Sequence, residues 1–538
     1  MSNLIWSAEK LPSNLVSMLE LLGEEYPILS KGRGLKLEFK PIRSKETVSR
    51  VTRKSGSVTI EYSNLAAAGR GIGSALAGLD GEERTPFTSL GIMLDQGQGM
   101  VMKPEELKRW LRRMILCGYN QLMLYVESSF ALEGEPFFGY AEPQFTIEML
   151  RDLDDYAAKL GIELIGCCQV LGHMTNLLRW RGAYGDITDM PTVMLADEPK
   201  TYALIEKIID FWSKALRTRR INVGMDETWG LGRGRFLNLY GYEREFDVFN
   251  RHLARVNDIC KKRGLAPMIW SDMYFRLSNP AHDYHNPDFP VPEDVAAAIP
   301  KNVQLIYWDY YTESQKVYEK MLDRHSEMGF APVMASGIWS WEALWYDHIR
   351  TSATVRPCIA ACRSRKVKEL FFTLWEDDGA YCHFDSTFAG LVFASDLSYG
   401  QEDEELTARR FGVICGADYY AQTAAGEMQY VEADPQYADK DNKEFIELTS
   451  RCKVIDGLLR IITPMILWDD PLLGIGFDDY KRSDPEFDVK FMDKCNELLC
   501  RLLPHVEEDA AGNIAHAVNT IRALMAKVEL RSSLKSAY

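Results

Sequence analysis

The stretch "RRINVGMDETWGLGRGR", Arg219–Arg235, opens as a short apolar run and closes on two adjacent carboxylates. Ile221, Val223 and Met225 alternate as in a buried strand, and Asp226 and Glu227 stand where that strand stops, ahead of Trp229 and a glycine-rich loop. Neighbours on a strand point to opposite faces. Two consecutive acids therefore serve one site only where the chain leaves the sheet, and there they approach a ligand from different directions.

Working outward, runs of this kind recur along the chain. "SLGIMLD" (89–95), "QLMLYVE" (121–127), "ELIGCCQ" (163–169) and "INVGMDE" (221–227) are followed by "PMIWSDM" (267–273) and "VQLIYWDYY" (303–311). "PVMASGIWSW" (332–341) and "ELFFTLWEDD" (369–378) complete the set. Amphipathic stretches such as "KPEELKRWLRRMILCG" and "TIEMLRDLDDYAAKLG" lie between most of them. Eight β/α units in about 300 residues predict the α/β class and a (β/α)8 TIM barrel. Two strand-like runs, "LKLEFK" and "SVTIEYS", and a small-residue helix, "NLAAAGRGIGSALAGL", predict a small α+β domain over residues 1–85. The barrel is expected over 86–400. "EFIELTSRCKVIDGLLRIIT" and "FDVKFMDKCNELLCRLLPHVEED" predict a helical C-terminal region over 401–538.

Composition narrows the function. A chain of 538 residues exceeds what one hydrophobic core supports, and 46% hydrophobic with 26% charged residues is an ordinary globular balance. A net charge of −16 argues against nucleic acid or an anionic membrane as partner. No apolar run reaches the roughly 18 residues of a membrane span. The opening "MSNLIWSAEKLPSNL" lacks a basic segment followed by an apolar one, so no signal peptide is expected. The 11 cysteines are scattered and without zinc-ribbon spacing. They read as reduced thiols in a cytoplasmic protein with no structural metal.

The chemistry of a TIM barrel sits at the C-terminal ends of its strands. Those ends carry Asp95, Glu127, Gln169, His173 just beyond, Asp226 and Glu227. The later strands add Trp270 with Asp272, Trp308 with Asp309 and Tyr310, Trp339 and Trp341, and Trp375 with Glu376 and Asp377. One acid at a strand end often caps the following helix. A ring of acids and indoles is instead the lining of a sugar pocket, with carboxylates for hydroxyls and flat apolar faces for a pyranose.

"INVGMDE" resembles the signature of glycoside hydrolase family 20, the β-N-acetylhexosaminidases. "LGIMLD" resembles that family's first strand, "QVLGHM" its "PGH" turn with His173 as the histidine, and "LWEDD" its last-strand motif. The resemblance implies that Glu227 is the general acid/base and that Asp226 orients the substrate's 2-acetamido group, which itself attacks the anomeric carbon. His173 and Glu127 would be a supporting pair. Trp270, Trp308 and Trp375 would wall the acetamide pocket. Four departures mark a divergent branch: Leu90 stands where an arginine is usual, Asn222 where a histidine is usual, and the seventh strand carries "SGIWSW" in place of a tyrosine and an aspartate. The aspartate that usually supports the histidine is missing from strand two, leaving Glu127 to substitute. Asp309 and Tyr310 are then candidates for holding the acetamide.

Other motifs read as structural. "GLGRGR" lacks the strand–helix context of a dinucleotide site, since two acids precede it. "HDYH" (282–285) lacks a third metal ligand nearby and is expected at the surface. The expected function is removal of a terminal β-linked GlcNAc or GalNAc by substrate-assisted, retaining hydrolysis, with no metal or cofactor. The oligomeric state, monomer or homodimer, stays open. Two alternatives remain: a conventional retaining glycosidase with Asp272 or Asp377 as nucleophile, and a sugar-binding barrel without turnover.

Overall fold

A computed structural model describes residues 3–376, 379, 381–432, 454–455, 457–509 and 511–537. Eight strands close a barrel: Ser89–Asp95, Gln121–Val126, Glu163–Cys168, Arg220–Asn222, Ala266–Trp270, Gln304–Trp308, Val333–Gly337 and Glu369–Leu374. Neighbours run parallel in chain order. The strands are buried almost throughout, which is why they read as continuous apolar runs rather than as alternation. All eight expected strands are present, and all but the first stop one to several residues early. Among the described residues, Glu127, Gln169, Asp226, Glu227, Asp309 and Tyr310 lie past the ends of their strands, in the loops, whereas Asp272 begins a helix.

The floor of the barrel is a polar clasp. Arg220 donates to Glu163 at 2.7 Å, to Gln121 at 3.1 Å and to Glu369, and Gln304 donates to Glu369 at 3.1 Å. Five strands are thus tied at their N-terminal ends, the face of such a barrel that serves stability.

The N-terminal segment forms a six-stranded mixed sheet. Its order is Ile28–Leu29, Leu4–Ile5, Leu35–Pro41, Ser57–Tyr62, Thr47–Lys54, Gly81–Thr85. Two of these strands are legible in the sequence. The others are short or, like Thr47–Lys54 and Gly81–Thr85, rich in charge. The helix Leu65–Leu76 starts at Asn64, whose side chain accepts the Ala67 amide, and it is buried on nearly every side. Its one charged residue, Arg70, is sealed and paired with Glu83 at 2.5 Å.

The chain divides into two compact units. One holds Met1–Gly337, Thr354–Thr373 and Leu397–Gln401, and so carries the N-terminal sheet together with the barrel. The other holds Ile338–Ala353, Leu374–Asp396 and Glu402–Tyr538. The loops after strands seven and eight thus cluster with the C-terminal region rather than with the barrel. That region holds long helices, Phe487–Leu502 and Asn513–Ala537, but is not wholly helical: Tyr430–Glu432, Leu458–Arg460 and Val454–Ile455 form a small antiparallel sheet. The helix expected over "EFIELTSRCKVIDGLLRIIT" lies partly outside the described residues, and its described part includes the strands Val454–Ile455 and Leu458–Arg460. Among the described residues no helix is long and apolar enough to cross a membrane.

Candidate active site

Barrel strand four is only three residues long, and the turn beyond it builds the site. The Asn222 side chain accepts the Gly224 amide at 2.9 Å, ending the strand in a local turn. Gly224, Met225 and Glu227 then take φ of 68°, 71° and 46°. Left-handed backbone at non-glycine residues is costly and gathers at functional sites. Here it takes two neighbours in the chain out of a strand's alternation, so that both serve one site, Asp226 nearly buried and Glu227 one-third exposed. Gln169, at the end of strand three, secures the turn from both sides. Its Nε2 donates to Asp226 Oδ1 at 2.8 Å and its Oε1 accepts the Met225 amide at 3.2 Å. A Cβ at Gly224 would fall 2.0 Å from that Oε1, and one at Gly172 would fall 2.4 Å from the Asp226 carbonyl oxygen. Both glycines are therefore needed to bring the two loops together.

His173, with φ of 52°, extends from the Gly172 approach. Its Nε2 lies 3.3 Å from Asp226 Oδ2 and 3.7 Å from Glu227 Oε2. Burial opposes its charge, but Asp226 first, then Glu227 and Glu127, outweigh that and raise its pKa to about 10. Asp226 shows the converse. Burial disfavours its anion, yet the charge and hydrogen bond of His173, helped by Gln169, hold its pKa below the ordinary value. The pair is thus imidazolium and carboxylate at neutral pH. Glu127 is buried, bonded by Tyr125 and Asn176, and pushed up to about 8 by burial, against the pull of His173. It neighbours His173 electrostatically, whereas the imidazole's hydrogen-bond partner is Asp226.

On strand five, Trp270 is buried and Asp272 begins the helix Asp272–Ser278. Asp272 Oδ2 accepts the Glu227 amide at 3.1 Å and Arg276 Nε at 3.0 Å, while Arg276 Nη2 donates to Glu227 Oε1 at 2.9 Å. Asp272 is sealed from solvent and its other oxygen has no hydrogen-bond partner among the described residues. Burial, with Asp226 and Glu227 adding to it, raises its pKa to about 7 against the pull of Arg276. The guanidinium lies 4.7 Å above the ring of Trp229 and 5.6 Å from the rings of Tyr284 and Trp308.

Strand six ends at Trp308, with Asp309 and Tyr310 directly after it. The first and last stack with centroids 5.3 Å apart, and the Trp308 indole N–H is buried without a hydrogen-bond partner among the described residues. Asp309 is fully buried and committed within the chain. One oxygen accepts the Tyr311 and Thr312 amides at 2.9 Å, and the other meets Tyr307 at 3.0 Å and His285 at 3.2 Å. His285 therefore belongs to this wall, packed on Tyr284 and Trp308, and is not the surface residue expected from its polar loop. Asp95 is likewise buried, and its Oδ1 turns the loop after strand one by accepting the Gly97 and Gln98 amides.

The candidates of strands seven and eight belong to the second unit. Trp339 and Trp341 are buried and stacked 4.2 Å apart, with Arg350 and Arg460 over Trp339 at 4.9 and 5.2 Å. Asp347 anchors them, bonded to Arg460 at 2.8 Å and to the Tyr430 hydroxyl at 3.0 Å. Trp375 is partly exposed and accepts from Ser340 at its carbonyl, Glu376 is buried, and Asp377 lies outside the described residues. In the first unit the structure gathers Asp226, Glu227, His173, Glu127 and Asp272 with Gln169 and with Arg276, which the sequence reading had missed. The Asp272/Arg276 spacing of four on a helix is the one signal that pointed to Arg276. Among the described residues no group of three or more His, Cys, Asp or Glu is arranged to hold a metal.

No protein-family model and no curated protein matches the sequence. Solved structures do match. An exo-β-N-acetylglucosaminidase of family 20 from Vibrio harveyi, in complex with N-acetylglucosamine, superposes with a TM-score of 0.55 at 14% identity, over 77% of this chain and 73% of that one. The N-acetyl-β-hexosaminidase of Streptomyces plicatus gives 0.55 at 14%, over 78% and 91%. The β-N-acetylhexosaminidase of Bacteroides fragilis gives 0.53 at 15%, over 74% and 86%. The likeness read from "INVGMDE" thus extends to three dimensions, at an identity low enough to mark divergence, and the chain has the fold of the family 20 β-N-acetylhexosaminidases.

Proposed function

We propose that the protein is a glycoside hydrolase that releases a terminal β-linked 2-acetamido sugar, GlcNAc or GalNAc, by substrate-assisted, retaining catalysis. The observation that carries this reading is the turn at 224–227, which sets Asp226 and Glu227 side by side at the open end of the barrel with different environments. Asp226 is nearly buried and held as an anion by His173 and Gln169, as suits a group that orients an acetamide N–H. Glu227 is one-third exposed, as suits a group that must reach the glycosidic oxygen. In this mechanism Glu227 protonates the leaving oxygen while the acetamide carbonyl oxygen attacks the anomeric carbon. Glu227 then takes a proton from the water that opens the cyclic intermediate.

The reading with an enzyme nucleophile is weaker at Asp272, which is sealed from solvent and bonded to the Glu227 amide and Arg276. The test is an assay with nitrophenyl β-GlcNAc and β-GalNAc beside the β-glucoside. Release from the 2-acetamido sugars alone supports the reading. Binding of GlcNAc without release of nitrophenol from any of them would leave a sugar-binding barrel.

A further inference from the structure

Arg276 stands out because it bonds two carboxylates at once inside the site, and because one of them, Asp272, also grips the backbone of the other. Asp272 Oδ2 takes the Glu227 amide at 3.1 Å and so helps hold Glu227 at its left-handed φ of 46°. Arg276 Nε closes on the same oxygen, and Nη2 reaches Glu227 Oε1 at 2.9 Å. That leaves Oε2 as the oxygen facing His173, at 3.7 Å. The guanidinium has little freedom to leave: it is 11% exposed and lies against the rings of Trp229, Tyr284 and Trp308. Among the described residues, the charged groups in contact with Glu227 include His173 from the loop after strand three, Asp226 beside it in the chain, and Asp272 and Arg276 from the helix after strand five.

We infer that Asp272 and Arg276 form a positioning pair acting through Glu227: Asp272 fixes its backbone, Arg276 fixes one carboxylate oxygen so that the other meets the substrate, and their opposite charges set how firmly Glu227 keeps its proton. This rests on the proposed role of Glu227 as general acid/base. The role of Arg276 is a compromise. Its positive charge favours the anion of a group that must donate a proton, and Asp272 offsets part of that charge, to the extent that it is ionised at its raised pKa of about 7.

The two members should therefore act in opposite directions. The test is a 13C NMR titration of the full-length protein labelled at glutamate carboxyls, with Glu227→Gln assigning the signal, followed by kcat against pH. Arg276→Met should move the Glu227 titration and the alkaline limb of kcat up by about one pH unit or more, as loss of an adjacent opposite charge does. Asp272→Asn should move both down. Arg276→Lys keeps the charge but cannot bond both carboxylates as the fork does, so it should leave the titration near that of the parent while lowering kcat. Titrations that stay in place in Arg276→Met and Asp272→Asn, or that move in the same direction, would overturn the inference. Circular dichroism and melting identify a variant that fails to fold. If Arg276→Met does so, the downward move in Asp272→Asn still decides. A parent protein that hydrolyses no 2-acetamido glycoside refutes the proposed function, while the titration, which needs no turnover, still judges the pair.

Discussion

His173 stands closer to Asp226 than to Glu227, its Nε2 lying 3.3 Å from Asp226 Oδ2 and 3.7 Å from Glu227 Oε2. The imidazolium is thus placed to keep Asp226 ionised, and the stability of this ion pair has a definite pH window. The raised pKa of His173, about 10 against an ordinary 6.5, means that its contribution is fully present below about 6.5 and is lost as pH rises through about 10. The difference in melting temperature between the parent and His173→Gln should therefore shrink steadily over that interval. A difference that stays constant or grows with pH would contradict the pairing.

Glu227→Gln removes the transferable proton at nearly constant shape. General acid/base catalysis contributes typically 10²–10⁴-fold, so kcat should fall by about that factor while product binding, measured by calorimetry, persists. Near-parental turnover would place the acid elsewhere.

Asp226→Ala tests the involvement of the substrate. In the parent, a β-glucoside with a plain 2-hydroxyl should react orders of magnitude more slowly than the 2-acetamido sugar, and a thiazoline mimic of the cyclised intermediate should inhibit strongly. The variant should lose turnover and much of that inhibition together. A 2-fluoro sugar that leaves a covalent adduct on an aspartate, detected by mass spectrometry, would sink this mechanism.

Gly224→Ala should do two kinds of damage. A methyl group 2.0 Å from Gln169 Oε1, at a φ of 68°, forces Gln169 away from Asp226 and strains the backbone. Backbone strain of this kind alone costs about 1–3 kcal/mol, readable from denaturant melts. Activity should fall further than the stability loss explains, because Asp226 loses its partner. Full activity in a destabilised variant would show that Gln169 is dispensable.

Trp308→Ala should weaken binding of the product sugar by about 1–3 kcal/mol through lost apolar contact, with a smaller effect on folding if the ring walls a pocket. Unfolding of the variant would assign Trp308 to the core, where Tyr284 and Tyr310 pack on it.

The barrel was legible in the sequence because its strands are buried on both faces and so advertise themselves as apolar runs, each followed by a helical repeat. The acids and indoles of the site were legible for a related reason: polar residues at the ends of such runs have to lie where the strands meet solvent or a ligand. What those residues do there was not legible. Asp95 and Asp309 occupy the same kind of position as Asp226, yet each turns its own loop by accepting amides two and three residues on, a local bond that any strand-end aspartate can make.

Only the tertiary structure decided which acids meet at one site, because that depends on the left-handed turn at Gly224–Glu227 and on Gln169, which secures it from 57 residues before Asp226. Arg276 likewise meets Glu227 across 49 residues, and His285 meets Asp309 from a loop whose polar composition suggested the surface. Periodicity carries information about local conformation and burial. The distance between two side chains on different loops is set by how the strands beneath them close into a barrel, and no local pattern encodes it.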